Sequence, residues 1–510
     1  MTQSIPLYNV PKGTALISLQ QVIQYSFSFI FYVFLARILT QSQIGEVSLL
    51  TFLTSIFGVV TQFSLPIAAT KFVAEHLGRG ELQQAGAVAR STLKLMLAIS
   101  TPALIISYLI SPQLSTIVFP NSDLTVLVIL TFSAAFILDL TTLYGAQLLG
   151  LGLYSKMVLQ NLVYIPLSRS LGLILAYIGF GVTGIVLGWL IAGLATLFVT
   201  LLMVRGRIPQ GSSFPTKTLL AYSLPLLGYS LIGIIQGWVD VALLYAFSNS
   251  LSATGIYYLL VSSAAVLAIF WAPLAGAIFP ALSSAYGKSG INAIEGTLTT
   301  SIRLINIAVI PLSLSLAAVS PTLLHIVYGE AYTSGALPFS IISSTIILQA
   351  YAAFIFITLQ GIGRTRALLM IAAASAALEI LSLVFLAKPL GETGASISRT
   401  LLFATSVFLG YIYIRRSFQL KLTEALPKSL LVGTIVAIPL GIIDFYLTQY
   451  SAQSLSLRLT ILTALFTSLF TLTARKLRLF NSSDFDLLRQ AFPSVLHRPI
   501  NAIERALLHY

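Results

Sequence analysis

The chain repeats itself at an interval close to 210 residues, so whatever it folds into must accommodate two copies of one unit. Gly181-Val182-Thr183-Gly184 returns as Gly391-Glu392-Thr393-Gly394, 210 residues later. Ile117-Val118-Phe119 matches Ile326-Val327-Tyr328 at 209, Gly45 matches Gly255 at 210, and Gly78 matches Gly287 at 209. Gly150 and Gly152 match Gly361 and Gly363 at 211, and Arg205 matches Arg415 at 210. A single coincidence of this kind carries little weight, but these fall in one register. Two copies of a hydrophobic unit with a cleft between them is a common build for transporters that alternate their access.

Composition decides the solvent. Hydrophobic residues make up 57% of the 510 residues and charged ones 8%, too few charges to clothe a water-soluble surface of this size. A helix crossing the hydrocarbon needs about 20 mostly apolar residues. Fourteen such stretches can be counted, the first over 14–36 and the last over 457–474. The expected fold is an all-α polytopic membrane protein of about 14 transmembrane helices: two parallel six-helix repeats plus two C-terminal helices. The expected segments are residues 1–206 and 218–416 for the repeats, with 207–217 as a linker rich in Pro, Gly and Ser. Residues 417–474 hold the two added helices and 475–510 form a tail. Six is an even number, so both copies start on the same side and are related by an axis along the membrane normal. The first apolar stretch is too long for a signal-peptide core and reads as a retained span.

Lys and Arg accumulate in cytoplasmic loops. Of the 28 such residues, 23 fall on the side that includes the N-terminus and three on the other, with Arg169 and Arg399 inside spans. Both termini are therefore expected in the cytoplasm of a cell that carries this protein in its plasma membrane. The net charge of +13 follows from that bias and from attraction to anionic membrane lipids, and it calls for no nucleic acid. Cysteine is absent and the four histidines fall in connections or the tail, so no metal or other cofactor is expected. No Walker motif or other phosphate-cradling glycine loop is present.

Ionisable and polar side chains inside spans are functional candidates by default. Arg169 in span five and Glu379, 210 residues on in span eleven, place opposite charges at equivalent positions; they read either as cavity-lining groups or as an interhelical salt bridge. Arg399 in span twelve and Asp139 in span four form the next pair. Gln236 and Asp240 lie four apart on span seven, hence on one helical face, and span one offers Gln21 and Gln24 beside Gln20. Arg37 at the outer end of span one is either a substrate contact or a snorkelling anchor. Lys71 and Glu75, one turn apart, read as a site or as a surface pair. Tyr257 and Tyr258 read as interfacial belt residues, and Ser483 to Arg489 as an amphipathic helix resting on the inner leaflet.

Leu324-His-Ile-Val-Tyr-Gly-Glu330-Ala-Tyr332 resembles the "lyG.eY" motif of polysaccharide flippases in the MOP superfamily. Leu35-Ala-Arg37-Ile-Leu-Thr-Gln-Ser-Gln-Ile-Gly45 is similar to the turn between that family's first two spans, and Lys71-Phe-Val-Ala-Glu75-His-Leu-Gly-Arg79-Gly80 to the cytoplasmic helix after span two. The resemblance covers residues 10 to about 475. It implies a flippase carrying a polyprenyl-linked oligosaccharide across the membrane, with spans one, two, seven and eight lining the cleft. The count of fourteen spans is closest to the lipid II flippases and to archaeal and sporulation-type branches. The implied partners are the lipid-linked oligosaccharide, membrane lipids, a coupling cation (H+ or Na+) and glycan-assembly proteins. A cation-coupled drug exporter of the same superfamily would want a carboxylate deep in span one, and residues 14–36 contain none. A membrane-embedded glycan polymerase or ligase, the third class, would need a large outward loop bearing catalytic groups; the longest, near 320–337, offers only His325 and Glu330.

Overall fold

The computed structural model describes residues 10–119, 123–272, 292–362, 364–415, 425–450, 454–491 and 497–508. These residues are helical almost throughout, with no strand among them. In hydrocarbon every backbone N–H and C=O must find its partner inside the protein, and an α-helix does this within one segment. Serine and threonine are tolerated for the same reason. Inside the spans their hydroxyls turn back onto the carbonyl four residues earlier, as in Thr51 to Val47 (2.8 Å), Thr131 to Leu127 (2.8 Å) and Ser375 to Ile371 (2.8 Å).

The first compact unit comprises residues Met1–Leu259 and the second Leu260–Tyr510. The first holds α1 (Val10–Ile38), α2 (Gln41–Gln62), α3 (Leu65–Gly78), α4 (Leu82–Val118), α5 (Thr125–Gly150), α6 (Tyr154–Leu175), α7 (Gly181–Val204), α8 (Thr216–Ser248) and most of α9 (Leu251–Ala265). The second holds α10 (Asn292–Ala318), α11 (Ser320–Tyr328), α12 (Ala336–Gly361), α13 (Thr365–Arg415), α14 (Ala425–Tyr450), α15 (Leu455–Lys476), α16 (Ser482–Ala491) and α17 (His497–Leu507).

Eleven helices among the described residues are long and apolar enough to cross a membrane, or twelve if Ile302–Ala318 and Ser320–Tyr328, bent by 81°, make one span. Helix length alone thus yields fewer spans than the fourteen expected. Two of the eleven, Tyr154–Val204 and Thr365–Arg415, run for 51 residues, more than twice the ~20 that a crossing needs. Each encloses a break at a glycine. The expected stretch 254–279 continues beyond residue 272, outside the described residues.

The repeated Gly-x-Thr-Gly segments explain those breaks. Gly181 has φ 51° and ψ −131°, and Gly391 has φ 53° and ψ −130°, a backbone that side-chain-bearing residues avoid. The second glycine of each segment then lets the chain fold back on itself. A Cβ on Gly184 would lie 2.6 Å from the backbone of Leu175 and Ala176, and one on Gly394 would lie 2.1 Å from the Leu386 carbonyl oxygen. Farther along the first hairpin, Gly188 packs on Gly172, where a Cβ would come within 2.5 Å of the Gly172 nitrogen. The pairings 184 with 176 and 188 with 172 make α6 and α7 antiparallel neighbours.

A second glycine contact joins positions related by the repeat interval. A Cβ on Gly45 of α2 would meet the Leu251 carbonyl oxygen at 2.1 Å, and one on Gly255 of α9 would meet the Gln41 carbonyl oxygen at 2.0 Å. Residues 41 and 251 stand 210 apart, as do 45 and 255, so the contact is reciprocal, as a two-fold relation demands. Ser252 donates to the Gln41 side chain at 2.6 Å across the same junction. The turn leading into α2 is held by a capping box, Thr40 accepting from the Gln43 N–H and the Gln43 side chain from the Thr40 N–H (3.0 Å).

In the second unit α14 packs on α10 through Gly433, whose Cβ would approach Leu314 at 2.9 Å. Part of the tail packs on protein. Phe485, Ile500 and Leu507 share a core with Val432, Val436 and Leu462 of α14 and α15. Arg303 of α10 donates to both carboxylate oxygens of Asp484 (3.0 Å each) and to the Leu479 carbonyl (3.2 Å). Asp484 is 2% exposed, and the paired fork geometry answers its charge.

Backbone strain and crowding are separable at the second hairpin. Gly391→Ala meets nothing within 4 Å, and its left-handed backbone alone should cost about 1–3 kcal/mol. Gly394→Ala adds a clash with Leu386 and should cost a similar ~1–3 kcal/mol through overpacking. Thermal unfolding in detergent should show both variants below the parent chain and the double variant lowest.

Candidate functional site

The first unit brings α1, α6, α8 and α9 together around an aromatic cluster. The guanidinium of Arg169, on α6, lies over the Phe31 ring at 4.3 Å from its centroid and 5.7 Å from that of Tyr32, both on α1. Tyr32 meets Tyr258 edge-on at 5.8 Å, their hydroxyls 3.4 Å apart, and Tyr258 stacks on Trp238 of α8 at 6.0 Å. Arg169 is half-buried, and a cation on an aromatic face is stabilised by about 0.5–1 kcal/mol at exposed sites and more as it is desolvated. A guanidinium over an aromatic ring keeps N–H groups that can donate. Among the described residues no carboxylate forms a salt bridge with Arg169.

Arg37 and Arg169 line one cleft of about 640 Å³ between α1 and α6. Phe27, Phe31 and Phe34 form one wall and Leu173, Ile174 and Tyr177 the other. Phe27, Phe31, Phe34 and Ile38 recur at helical spacing, which aligns them on one face of α1. Two arginines set in apolar walls can hold an anion whose attached chain is itself apolar. The planar fork of arginine suits phosphate oxygens in pairs and stays charged at any ordinary pH.

The acidic candidates are placed differently. Asp139 on α5 is 2% exposed and accepts hydrogen bonds from the Thr61 hydroxyl and from the Gln62 amide (2.8 Å for the latter), both on α2. Gly58 gives it room, since a Cβ there would lie 3.3 Å from the carboxylate. Asp240 is fully buried and accepts from the Tyr257 hydroxyl at 2.7 Å, tying α8 to α9. That bond corrects the reading of Tyr257 and Tyr258 as belt residues: they are 0% and 3% exposed. Their hydroxyls serve Asp240 and Tyr32 instead of the membrane interface. Gln21, Gln24 and Gln236 are half-buried.

Lys71 is exposed and turns onto the Tyr222 ring at 4.0 Å and the Phe72 ring at 4.7 Å. The surface pair expected with Glu75 does not form, because Arg79 takes Glu75 at 2.6 Å. In the second unit Glu379 is fully buried in α13, and Arg399 is 9% exposed with Phe403 at 5.7 Å. Asp444 of α14, 1% exposed, is absent from the sequence-derived candidates. Its signal was available as a lone acid in an otherwise apolar stretch.

Residues 10–286, more than half of the chain, match the family model described as polysaccharide biosynthesis protein. Curated proteins yield no match. Among solved structures the chain is similar to the lipid II flippase MurJ in an inward closed conformation, with a TM-score of 0.69 and 13% identity over 91% of this chain and 99% of that one. It is also similar to an inward-facing multidrug resistance MATE family transporter of the MOP superfamily (TM-score 0.64, 15% identity, 79% and 98% covered). A MOP superfamily transporter from Pyrococcus furiosus matches at TM-score 0.60 and 14% identity, with 80% and 95% covered. At these identities the likeness shows the fold alone, and that fold is shared by the MOP transporters.

Thr61→Val removes a donor from the buried Asp139 carboxylate and should lower stability by about 1–3 kcal/mol. Thr61→Ser, which keeps the hydroxyl, should restore most of it. Chemical denaturation in detergent micelles, followed by far-UV circular dichroism, measures both.

Proposed function

Given that the chain belongs to the polysaccharide biosynthesis protein family, we propose that it is a flippase moving a polyprenyl-(pyro)phosphate-linked oligosaccharide from the cytoplasmic to the outer leaflet. The observation that carries the reading is the cleft in which Arg37 and the aromatic-stacked Arg169 face apolar walls. Such a substrate has an anionic, strongly hydrated head that hydrocarbon rejects and a tail that hydrocarbon accepts. Arginine on an apolar seam answers both needs. Arg399 in the second unit is the other arginine assigned to the head group, with Glu379 poised to hold or release it.

The mechanism is alternating access of two six-helix repeats in a plasma membrane, with both termini cytoplasmic. Moving an anionic head outward runs with an inside-negative potential, worth about 2.3 kcal/mol per charge per 100 mV, and coupling to H+ or Na+ is the second available drive. A cation-coupled drug exporter is the alternative that the MATE-like fold supports. Against it stands α1, which has no carboxylate between residues 14 and 36.

The test uses proteoliposomes carrying a fluorescent lipid-linked oligosaccharide, with the leaflet read by quenching from outside. Arg169→Glu should abolish translocation while the protein still inserts at normal levels. Arg169→Lys keeps the charge but loses the paired fork, and should slow translocation about tenfold, a barrier change near 1.4 kcal/mol. Unchanged translocation in Arg169→Glu would remove this residue from the site, and drug efflux without glycan translocation would favour the alternative.

A further inference from the structure

A second cavity in the first unit, between α3, α5 and α6, has a different chemistry. It measures about 270 Å³, and none of its lining residues is charged. Its polar groups are Thr70, Thr141, Thr142, Gln160, Asn161 and the phenol of Tyr164. Several of their hydrogens are already committed. Thr70 donates to the Ala146 carbonyl (2.9 Å), Thr141 to Ile137 (2.8 Å) and Thr142 to Leu138 (2.8 Å). The Gln160 amide nitrogen donates to the Thr141 carbonyl at 2.6 Å. What remains in the lining is uncharged and mixed: acceptors from the threonines and Gln160, and donors from the Tyr164 phenol and the Asn161 amide.

Gln160 makes this more than a polar lining. Its residue is 3% exposed, and its side-chain oxygen has no hydrogen-bond partner. Such an orphaned acceptor costs about 1–3 kcal/mol, and its residue is part of the cavity lining. Gly145 holds the position open, since a Cβ there would lie 2.9 Å from that same oxygen. The remaining walls are apolar, among them Ile67, Leu138 and Met157. Neutral donors and acceptors beside carbon match a sugar ring, whose hydroxyls both donate and accept at its edge and whose C–H groups lie across its face. No charged group lines the cavity to answer a full charge of either sign. Tyr164 lies five residues before Arg169, about 7.5 Å along α6, within electrostatic reach of that guanidinium.

We propose that this cavity binds one uncharged sugar unit of the transported head group, separately from the arginine cleft that takes the phosphate. The inference rests on the flippase reading above. The two sites divide the substrate by chemistry, so the head-group specificity of the protein is set by α5 and α6 in the cavity rather than by its arginines.

The experiment uses the full chain in nanodiscs with two kinds of probe. Saturation-transfer NMR follows binding of N-acetylglucosamine, methyl glucoside and glucuronate, and a fluorescence titration follows farnesyl phosphate. The expected result is binding of a neutral sugar in preference to glucuronate. Thr142→Val and Gln160→Leu should each weaken it about tenfold or more, roughly the loss of one buried hydrogen bond, and leave farnesyl phosphate binding unchanged. Thr142→Val, close to isosteric, guards against a Gln160→Leu chain that does not fold. Neutral-sugar binding that is absent, or unaltered in both variants, while farnesyl phosphate still binds would overturn the cavity assignment and leave the flippase reading standing. Failure to bind either kind of probe would bring down the flippase reading itself.

Discussion

Lipid tails are as apolar as leucine, so burial of apolar surface does little to press one helix against another inside a bilayer. What remains is how closely two backbones can approach, and in this protein glycine sets that distance. Gly184 and Gly188 let α7 lie against α6, and Gly394 does the same at the turn within α13. Gly45 and Gly255 seat the starts of α2 and α9 on each other's carbonyls. The seam between α1 and α6, and the ring of Tyr32, Tyr258 and Trp238 beside it, take their positions from helices located by these contacts.

Within that frame the buried ionisable groups divide by what neutralises them. Asp139 and Asp240 receive neutral donors, Thr61 and Gln62 in one case and Tyr257 in the other, and each ties two helices together. Asp484 receives a full counter-charge from Arg303, which anchors the tail to α10. Arg169 receives aromatic faces. Carboxylates held by donors are already satisfied, whereas the Arg169 guanidinium lies over aromatic rings and forms no salt bridge among the described residues. The cation-bearing cleft and the uncharged cavity are therefore products of the same unit with different chemistry: two guanidinium groups in one, only neutral polar groups in the other.

The second unit shows how copies of one pattern diverge. Ser111-Pro112 lies within the unbroken α4, yet Ser320-Pro321, at the repeat interval, opens α11 after a bend of 81°. A proline at the first turn of a helix loses no hydrogen bond, because that N–H would have no intrahelical partner. In mid-helix it removes one. The same dipeptide is thus compatible with either geometry, and its surroundings choose between them.

The sequence alone determined that this is an all-helical membrane chain, because apolar length and sparse charge leave no other way to satisfy a backbone in lipid. It also located the Gly-x-Thr-Gly turns and the Gly45 and Gly255 pair, since a backbone conformation or a close approach that excludes a side chain must be written as glycine. Arg169 was legible as a charge inside a span. What surrounds it was not: nothing in one dimension says that Phe31 and Tyr32 supply its stacking faces, that Arg37 shares its cleft, or that Tyr257 turns inward to Asp240. The pairing of Glu75 with Arg79 and the packing of Phe485, Ile500 and Leu507 on α14 and α15 were equally hidden. Those choices belong to tertiary structure, because they depend on which helix faces meet, and a side chain's partner there is set by neighbours tens or hundreds of residues away.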